Sequence, residues 1–189
     1  YVPGGLTLLD AQTLAQVHRI DTPNSRVTGA VDAPGNRFVF TVMERDEIWI
    51  VNTGDPSFPV THKIKAAGRM PYDAMISRDG RYYLVGHLDS AVVSVVDLDQ
   101  PKPQARKIHL LSDEDKADKS APVKLPHMAS WAVAGDHVFV PLVGRKLLAV
   151  LDRGTFERVG SVPVRGHPVY AVADPYGRSI WVSFSGEAD

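Results

Sequence analysis

The sequence predicts an all-β fold, and three observations lead to that prediction. The apolar runs are short and rich in β-branched and aromatic residues, as at 38–42 and 92–96, which is typical of strands. Glycine and proline, 15 and 14 residues, interrupt these runs along the whole chain, as turns between strands would. The third observation is an internal repeat of about 40 to 45 residues. Helical character is confined to residues 11–17, a very short stretch, and 113–121, a charged stretch that we interpret as a solvated loop.

The repeat is visible first in the polar residue that ends an apolar run. An Asp or Asn does so at Asp10, Asn52, Asp97 and Asp152. The spacings are 42 (52−10), 45 (97−52) and 55 (152−97) residues. The longest spacing contains the charged stretch at 113–119, which therefore looks like a loop insertion of about ten residues in an otherwise regular repeat.

Turns that contain glycine recur along the chain with a similar spacing. They lie at 33–36, 78–81, 134–136 and 175–178, and each joins two short apolar runs. Each repeat is therefore predicted to hold four antiparallel strands, which is typical of a β-propeller blade. Residues 1–189 are predicted to form one partial β-propeller of about four blades, and a meander β-sandwich is the alternative. The predicted blades are a partial one at 1–25, whole ones at 26–68 and 69–124, a nearly whole one at 125–165 and half of one at 166–189.

Composition excludes several classes of function. With 21 basic and 22 acidic residues, the formal net charge of −1 argues against nucleic-acid binding as the main role. The absence of cysteine excludes disulfides, thiolate metal sites and a cysteine nucleophile. No apolar run reaches the ~18 residues of a membrane span, no two histidines have a spacing that indicates a metal site, and no nucleotide-binding or hydrolase motif occurs. The chain starts without Met, so we expect a processed or trimmed chain. Because it begins and stops inside a predicted blade, we expect a portion of a larger propeller or a chain completed by a second copy.

Propeller topology predicts which residues share a face. The segment that leads into each innermost strand lies on the same face as the turn between the second and third strands, and the glycine turns lie on the opposite face. This sorting places Tyr72, His127 and His167 on one face, together with five arginines: Arg26, Arg45, Arg69, Arg145 and Arg165. Tyr72 and His127 are equivalent, since each lies eight residues before its turn glycine (80−72 and 135−127). Arginine binds carboxylates through paired donors and histidine supplies a ligand or a proton donor, so this face suits a planar polyanionic ligand.

Other polar and aromatic residues have structural interpretations. For each single arginine the alternative is an ordinary polar residue of a propeller rim. His87 follows a glycine in a turn and is predicted to lie at the surface. Trp49, Trp131 and Trp181 are predicted to pack in the core between blades.

The segments leading into the inner strands resemble a known family. They read SRVTG at 25–29, GRMPYD at 68–73, LPHM at 125–128 and GHPV at 166–169. In this order they resemble the NirF-type heme d1 biosynthesis proteins and, more distantly, the d1 domain of cytochrome cd1 nitrite reductase. The resemblance implies an eight-bladed propeller that binds heme d1 or a precursor tetrapyrrole on its central face, and a role in heme d1 biosynthesis during denitrification.

The resemblance also implies roles for individual residues. Arg26 and Arg69 match family arginines that face the carboxylates of the macrocycle, and His167 is expected to bind the cofactor with them. His127 matches one of two distal histidines, whereas Tyr72 replaces the other, so nitrite reduction is not expected. His127 and Tyr72 are instead expected to lie over the ring as proton donor or acceptor in a late side-chain modification. No counterpart of the family's proximal iron-ligating histidine is present.

Location and partners follow from the resemblance alone. It implies a periplasmic protein whose partners include other heme d1 biosynthesis proteins, nitrite reductase or a second copy of the chain. The main alternative is a non-enzymatic propeller scaffold for protein binding. A metal-dependent propeller hydrolase ranks last, because the predicted face offers arginine, tyrosine and histidine rather than several carboxylates.

Overall fold

The computed structural model describes residues 4–22, 24–113 and 131–185. His127 and most of the predicted loop insertion lie outside the described residues. The described strands are β1 (Gly4–Leu9), β2 (Gln16–Thr22), β3 (Val27–Ala33), β4 (Arg37–Val42), β5 (Glu47–Asn52), β6 (Val60–Lys65), β7 (Pro71–Ile76), β8 (Tyr82–His87), β9 (Val92–Asp97), β10 (Ala105–His109), β11 (Ala132–Ala134), β12 (His137–Leu142), β13 (Leu147–Asp152), β14 (Arg158–Pro163), β15 (His167–Ala173) and β16 (Ile180–Ser185).

The strands form five sheets in which only sequential strands pair, all antiparallel. Blade I consists of β3–β6, blade II of β7–β10 and blade III of β11–β14. The strands β1 and β2 form an N-terminal half-blade, and β15 and β16 form a C-terminal half-blade. The inner strands face one another, since β3 packs on β7 and β15 packs on β11 and β12. The predicted all-β partial propeller, with its three four-stranded blades and two halves, is confirmed.

The predicted glycine turns join the first and second strands of each blade and of the C-terminal half-blade. Their glycines have φ between +56° and +77°, a region that L side chains rarely adopt. At Gly80 the space is also closed, because a Cβ there would lie 2.3 Å from Cγ of Pro34 in the neighbouring blade. Glycine is therefore required at this position both by the turn and by the packing of adjacent blades.

The Asp and Asn residues at the ends of third strands close a second type of turn. Asp152 Oδ1 accepts the backbone N–H of Thr155 at 2.7 Å, and Asp10 Oδ1 accepts that of Thr13 at the same distance. Asn52 caps its own turn through the N–H of Gly54 at 2.9 Å. The equivalence of Asp10 and Asp152 identifies β1 as the third strand of an incomplete blade.

The core lies between blades. One cluster of buried residues joins blades I and II around Val39, Ile50 and Val96, and a second joins blades II and III around Leu84 and Val140. A buried hydrogen bond from the Tyr83 hydroxyl to the Gly29 carbonyl, 2.5 Å long, also links blades I and II.

The prediction for the tryptophans is correct at one position and wrong at another. Trp49 is buried in blade I, and Trp131 is half-buried. The side chain of Trp181 is 74% exposed, because β16 has a hydrogen-bonded neighbour, β15, on one side alone. In the part of the chain that the structure describes, no helix is long and apolar enough to cross a membrane.

Candidate functional site

The upper face, as we call it, is the face on which the innermost strands begin. Arg26 directly precedes β3, Arg69 and Tyr72 flank the start of β7, and His167 begins β15. Antiparallel pairing brings the second-to-third turns to the same edge: the Met43 N–H donates to the Arg26 carbonyl at 3.0 Å. The four predicted site residues that the structure describes thus share one face. The fifth, His127, lies outside the described residues.

Arg26 is held by an acidic residue of its own blade. Its Nε lies 2.5 Å from Glu44 Oε1, and its backbone N–H donates to Glu44 Oε2 at 2.7 Å. Partial burial opposes ionisation of Glu44, but hydrogen bonds from Arg26 and from the Ser25 hydroxyl outweigh it and keep the pKa of Glu44 below its usual value. The side chain of Arg26 remains 64% exposed. Because a guanidinium has five donors and Glu44 engages Nε, the group is oriented and still able to bind a second carboxylate.

Arg69 is more loosely held. Its Nη2 lies 3.3 Å from Asp89 Oδ2, and both side chains are largely exposed. An exposed pair of this kind contributes at most about 1 kcal/mol. A ligand carboxylate can therefore replace Asp89 at little cost.

The backbone around Arg69 is fixed much more firmly than its side chain. The Arg69 N–H donates to Ser90 Oγ at 3.0 Å, and the Met70 N–H donates to Asp46 Oδ1 at 2.7 Å. Met70 and Asp46 both have a left-handed φ, +55° and +54°. Asp46 belongs to blade I, so the preceding blade positions the segment that carries Arg69.

Tyr72 directly follows Pro71, whose carbonyl is also hydrogen-bonded by residues of blade I. The Pro71 carbonyl accepts the Thr28 hydroxyl at 3.0 Å and the Thr41 hydroxyl at 3.2 Å. Tyr72 itself is half-buried, and the neighbouring Asp73 is buried. The start of β7, which carries Tyr72, is thereby held against blade I.

His87 is buried, and the prediction of a surface position was wrong. Its Nε2 lies 2.8 Å from Ser94 Oγ, which also accepts the Ala67 N–H at 2.8 Å. The ring packs so closely on Gly68 that a Cβ there would lie 2.9 Å from His87 Cγ. Burial lowers the pKa of His87 to about 4, against smaller opposing effects of the Arg69 backbone and the Asp46 carboxylate. His87 is therefore uncharged at neutral pH and supports the segment that leads to Arg69.

His167 connects the C-terminal half-blade to blade III. Its Nδ1 lies 2.7 Å from the Val143 carbonyl, in the second-to-third turn of blade III. The ring is half-buried. Because a carbonyl oxygen only accepts hydrogen bonds, Nδ1 is the donor in this contact, which fixes the orientation of the ring.

Several residues that shape the face were not singled out from sequence. Glu44 and Asp46 lie in the second-to-third turn of blade I, and the available signal was that propeller topology places acidic residues of this turn on the same face as Arg26. Ser94 and Thr41 lie in strands and gave none, because their role depends on contacts with a distant segment. Within residues 4–22, 24–113 and 131–185, no group of three or more His, Asp and Glu side chains is placed to hold a metal ion.

Fold and face together define a β-propeller with arginine, tyrosine and histidine side chains around the beginnings of its inner strands. The family model described as "Cytochrome D1 heme domain" matches residues 1–189. The chain therefore belongs to the cytochrome D1 heme domain family, and the resemblance stated from the sequence motifs is confirmed.

Curated relatives agree with the family. The chain is 38% identical over 193 residues to Protein NirF of Pseudomonas aeruginosa and 35% identical over 193 residues to Protein NirF of Stutzerimonas stutzeri. Each match covers 98% of this chain and 49% of the relative. The chain thus spans about half the length of the curated relatives it matches.

Solved structures support the fold. The dihydro-heme d1 dehydrogenase NirN in complex with DHE superimposes with a TM-score of 0.71 at 23% identity, over 96% of this chain and 38% of that chain. The β-propeller domain of Cps50 (Swd1) from Myceliophteria thermophila gives 0.69 at 15% identity, over 97% of this chain and 56% of that chain. At these identities the similarity establishes the propeller fold.

Proposed function

We propose that the chain binds heme d1 or a precursor tetrapyrrole on the upper face and takes part in heme d1 biosynthesis. The observation that carries the proposal is the placement of Arg26, Arg69, Tyr72 and His167 at the starts of inner strands in a chain of the d1 heme domain family. A tetrapyrrole of this class is planar and carries several carboxylates, which match oriented guanidinium groups.

The two arginines serve different purposes in this proposal. Arg26, oriented by Glu44 at 2.5 Å, supplies a fixed anchor for one carboxylate. Arg69, whose contact with Asp89 is 3.3 Å long and exposed, exchanges that partner for a second carboxylate. Charge-assisted hydrogen bonds contribute about 1.5 to 3 kcal/mol each, so the loss of either arginine weakens binding about tenfold or more.

Titration of the protein with heme d1, followed by visible absorption, tests the binding site. We expect Arg26→Gln and Arg69→Gln each to raise the dissociation constant about tenfold. Arg178→Gln is the matched control, since Arg178 is an exposed arginine beside a glycine turn on the opposite face. No absorption change with the parent protein, or equal weakening by the control, would refute the assignment.

Tyr72 and His127 are proposed to lie over the bound ring and to move a proton during a late side-chain modification. Tyr72→Phe keeps the aromatic ring and removes the phenolic proton. We expect this variant to bind heme d1 with nearly unchanged affinity while conversion of a bound precursor, followed by chromatography of the extracted pigment, is lost. Conversion at the parent rate by both Tyr72→Phe and His127→Ala would leave a carrier role in place of the catalytic one.

The cellular setting is proposed on the same resemblance. We place the protein in the periplasm, with other heme d1 biosynthesis proteins or nitrite reductase as partners. Fractionation of a denitrifying cell, with the pigment followed in pull-downs from the periplasmic fraction, tests both parts. Recovery of the protein only from the cytoplasm would contradict the location.

A further inference from the structure

A cavity of about 900 Å³ opens on the face that carries the glycine turns, which we call the lower face. It lies between blades II and III, where residues 75–79 and 133–138 form two of its sides. The turns at 153–156 and 174–177 border its mouth. Sites for small organic ligands have volumes of about 300 to 1,000 Å³. The cavity is therefore large enough for such a ligand, and it lies opposite the proposed tetrapyrrole site.

The junction between blades I and II shows how the lower face is closed elsewhere. Pro34, in the glycine turn of blade I, lies so close to Gly80 that a Cβ there would be 2.3 Å from Pro34 Cγ. Arg37 crosses to blade II, where its Nη2 lies 3.1 Å from Asp99 Oδ1 and its Nη1 donates to the Leu98 carbonyl. The two glycine turns and this arginine together close the junction.

The junction between blades II and III is built differently. At Gly135, the turn glycine of blade III, an added Cβ would meet no atom within 4 Å, so the glycine turn of blade II does not reach it. The position of Arg37, two residues after the turn glycine, is taken by Tyr82, whose ring contacts Phe156 edge-on with centroids 5.2 Å apart. The blades thus meet at this aromatic pair while their glycine turns stay apart, and the cavity is the space between them.

The inner part of the cavity is apolar. Met75 and Leu84 of blade II and Val138 and Phe156 of blade III line it. Val133, on the inner strand β11, also lines it and remains 37% exposed. An apolar group that enters the cavity would therefore cover apolar side chains that now contact solvent, which is favourable.

Arginines at the mouth have hydrogen-bond donors to spare. Among the described residues, Arg78 has no hydrogen-bond or ion-pair partner. Arg153 makes one long hydrogen bond, from Nη1 to the Gly135 carbonyl at 3.3 Å. Because a guanidinium carries five N–H donors, both side chains can bind an anion without giving up an existing ion pair.

The carboxylates at the mouth do not take up these donors. Asp79 accepts hydrogen bonds from two residues of its own turn, and Asp174 accepts three backbone N–H groups of its turn. Asp136 is exposed and, within the part of the chain that the structure describes, forms no ion pair with Arg78 or Arg153. The mouth therefore has an excess of donors and favours an anionic ligand.

We propose that this cavity binds a small organic carboxylate with an apolar body. The apolar body lies between Met75 and Phe156, and the carboxylate accepts hydrogen bonds from Arg78 and Arg153, since guanidinium and carboxylate groups match in geometry. The proposal concerns a second site on the opposite face and does not depend on tetrapyrrole binding.

Displacement of a fluorescent probe tests the class of ligand. The probe is 1-anilinonaphthalene-8-sulfonate, an aromatic anion whose fluorescence rises in apolar surroundings. Decanoate and decanol carry the same alkyl chain and differ in charge. We expect decanoate to displace the probe at a concentration about tenfold lower than decanol, because its carboxylate forms charge-assisted hydrogen bonds with the arginines. Equal displacement by the two compounds, or none by decanoate, would overturn the proposal.

Arginine variants test the position of the carboxylate. Arg78→Gln should raise the concentration of decanoate needed for displacement about tenfold and leave that of decanol unchanged. Arg165→Gln is the matched control, since Arg165 is an exposed arginine of the upper face that also has no ion pair among the described residues. An equal effect of the two variants on decanoate would contradict the assignment.

Filling the cavity tests its location independently of charge. Val133→Trp places a large side chain in the cavity at a partly exposed position, and should abolish displacement of the probe by decanoate. Val172→Trp is the matched control, because Val172 is an exposed valine of the inner strand β15 outside the cavity lining. Urea unfolding of both variants verifies that they are folded. Displacement retained in Val133→Trp, or lost equally in both variants, would place decanoate elsewhere and refute the site.

Discussion

His87 should make the protein sensitive to mild acid, starting above the range in which carboxylates protonate. The imidazole is buried against Gly68 and Ser94, and burial lowers its pKa from 6.5 to about 4. Between these two values the unfolded chain binds a proton that the folded protein excludes. Stability therefore falls as pH falls from 6.5 towards 4. At 1.36 kcal/mol per pKa unit, the 2.5-unit difference corresponds to about 3 kcal/mol.

Urea unfolding at several pH values between 7 and 4.5, followed by tryptophan fluorescence, measures this effect. His87→Asn is the comparison, because it keeps a polar group towards Ser94 and does not titrate. The variant should be less stable at pH 7, yet its stability should fall less steeply with acid, by up to about 1.4 kcal/mol per pH unit. Glu44 and Asp97 have pKa values below their usual ones, so their contributions are lost only at lower pH. Parallel pH profiles of variant and parent would refute the reasoning.

Two further predictions concern the contacts between blades I and II. In Gly80→Ala, the alanine would have to adopt a φ of +75°, and its Cβ would lie 2.3 Å from Pro34 Cγ. The substitution should lower the free energy of unfolding in urea by about 2 to 3 kcal/mol. Gly135→Ala is the control, because Gly135 also has a positive φ but an added Cβ there would have no atom within 4 Å. It should lower the free energy of unfolding by about 1 kcal/mol. Equal losses in the two variants would show that the Pro34 contact is unimportant. Tyr83→Phe removes the buried hydrogen bond to the Gly29 carbonyl and should cost about 1 to 2 kcal/mol. An unchanged melting temperature would contradict that estimate.

The blades could be predicted from sequence because their markers are local. A turn glycine such as Gly80 needs φ above zero, and an Asx residue such as Asp152 caps the turn within three residues of itself. Each marker depends on its immediate neighbours, so its periodic recurrence was enough to place the strands.

The environments of single side chains depended on distant contacts and could not be predicted in the same way. His87 follows a glycine at the end of a strand, which is also where an exposed turn residue occurs. Its burial results from Gly68, nineteen residues earlier, which lacks the Cβ that would separate the two segments. Trp181 is likewise exposed because, among the strands that the structure describes, β16 pairs with β15 alone.

The upper face also shows why the sequence could predict which face carries the candidate site but not how its side chains are positioned. Two leading segments are contacted by the blade that precedes them: Asp46 of blade I holds Met70, and Val143 of blade III contacts His167. The position of a ligand-facing residue is therefore a joint property of two blades. A substitution in the second-to-third turn of one blade should displace the site residue of the next without touching a ligand. Asp46 is accordingly the residue through which blade I sets the geometry of Arg69.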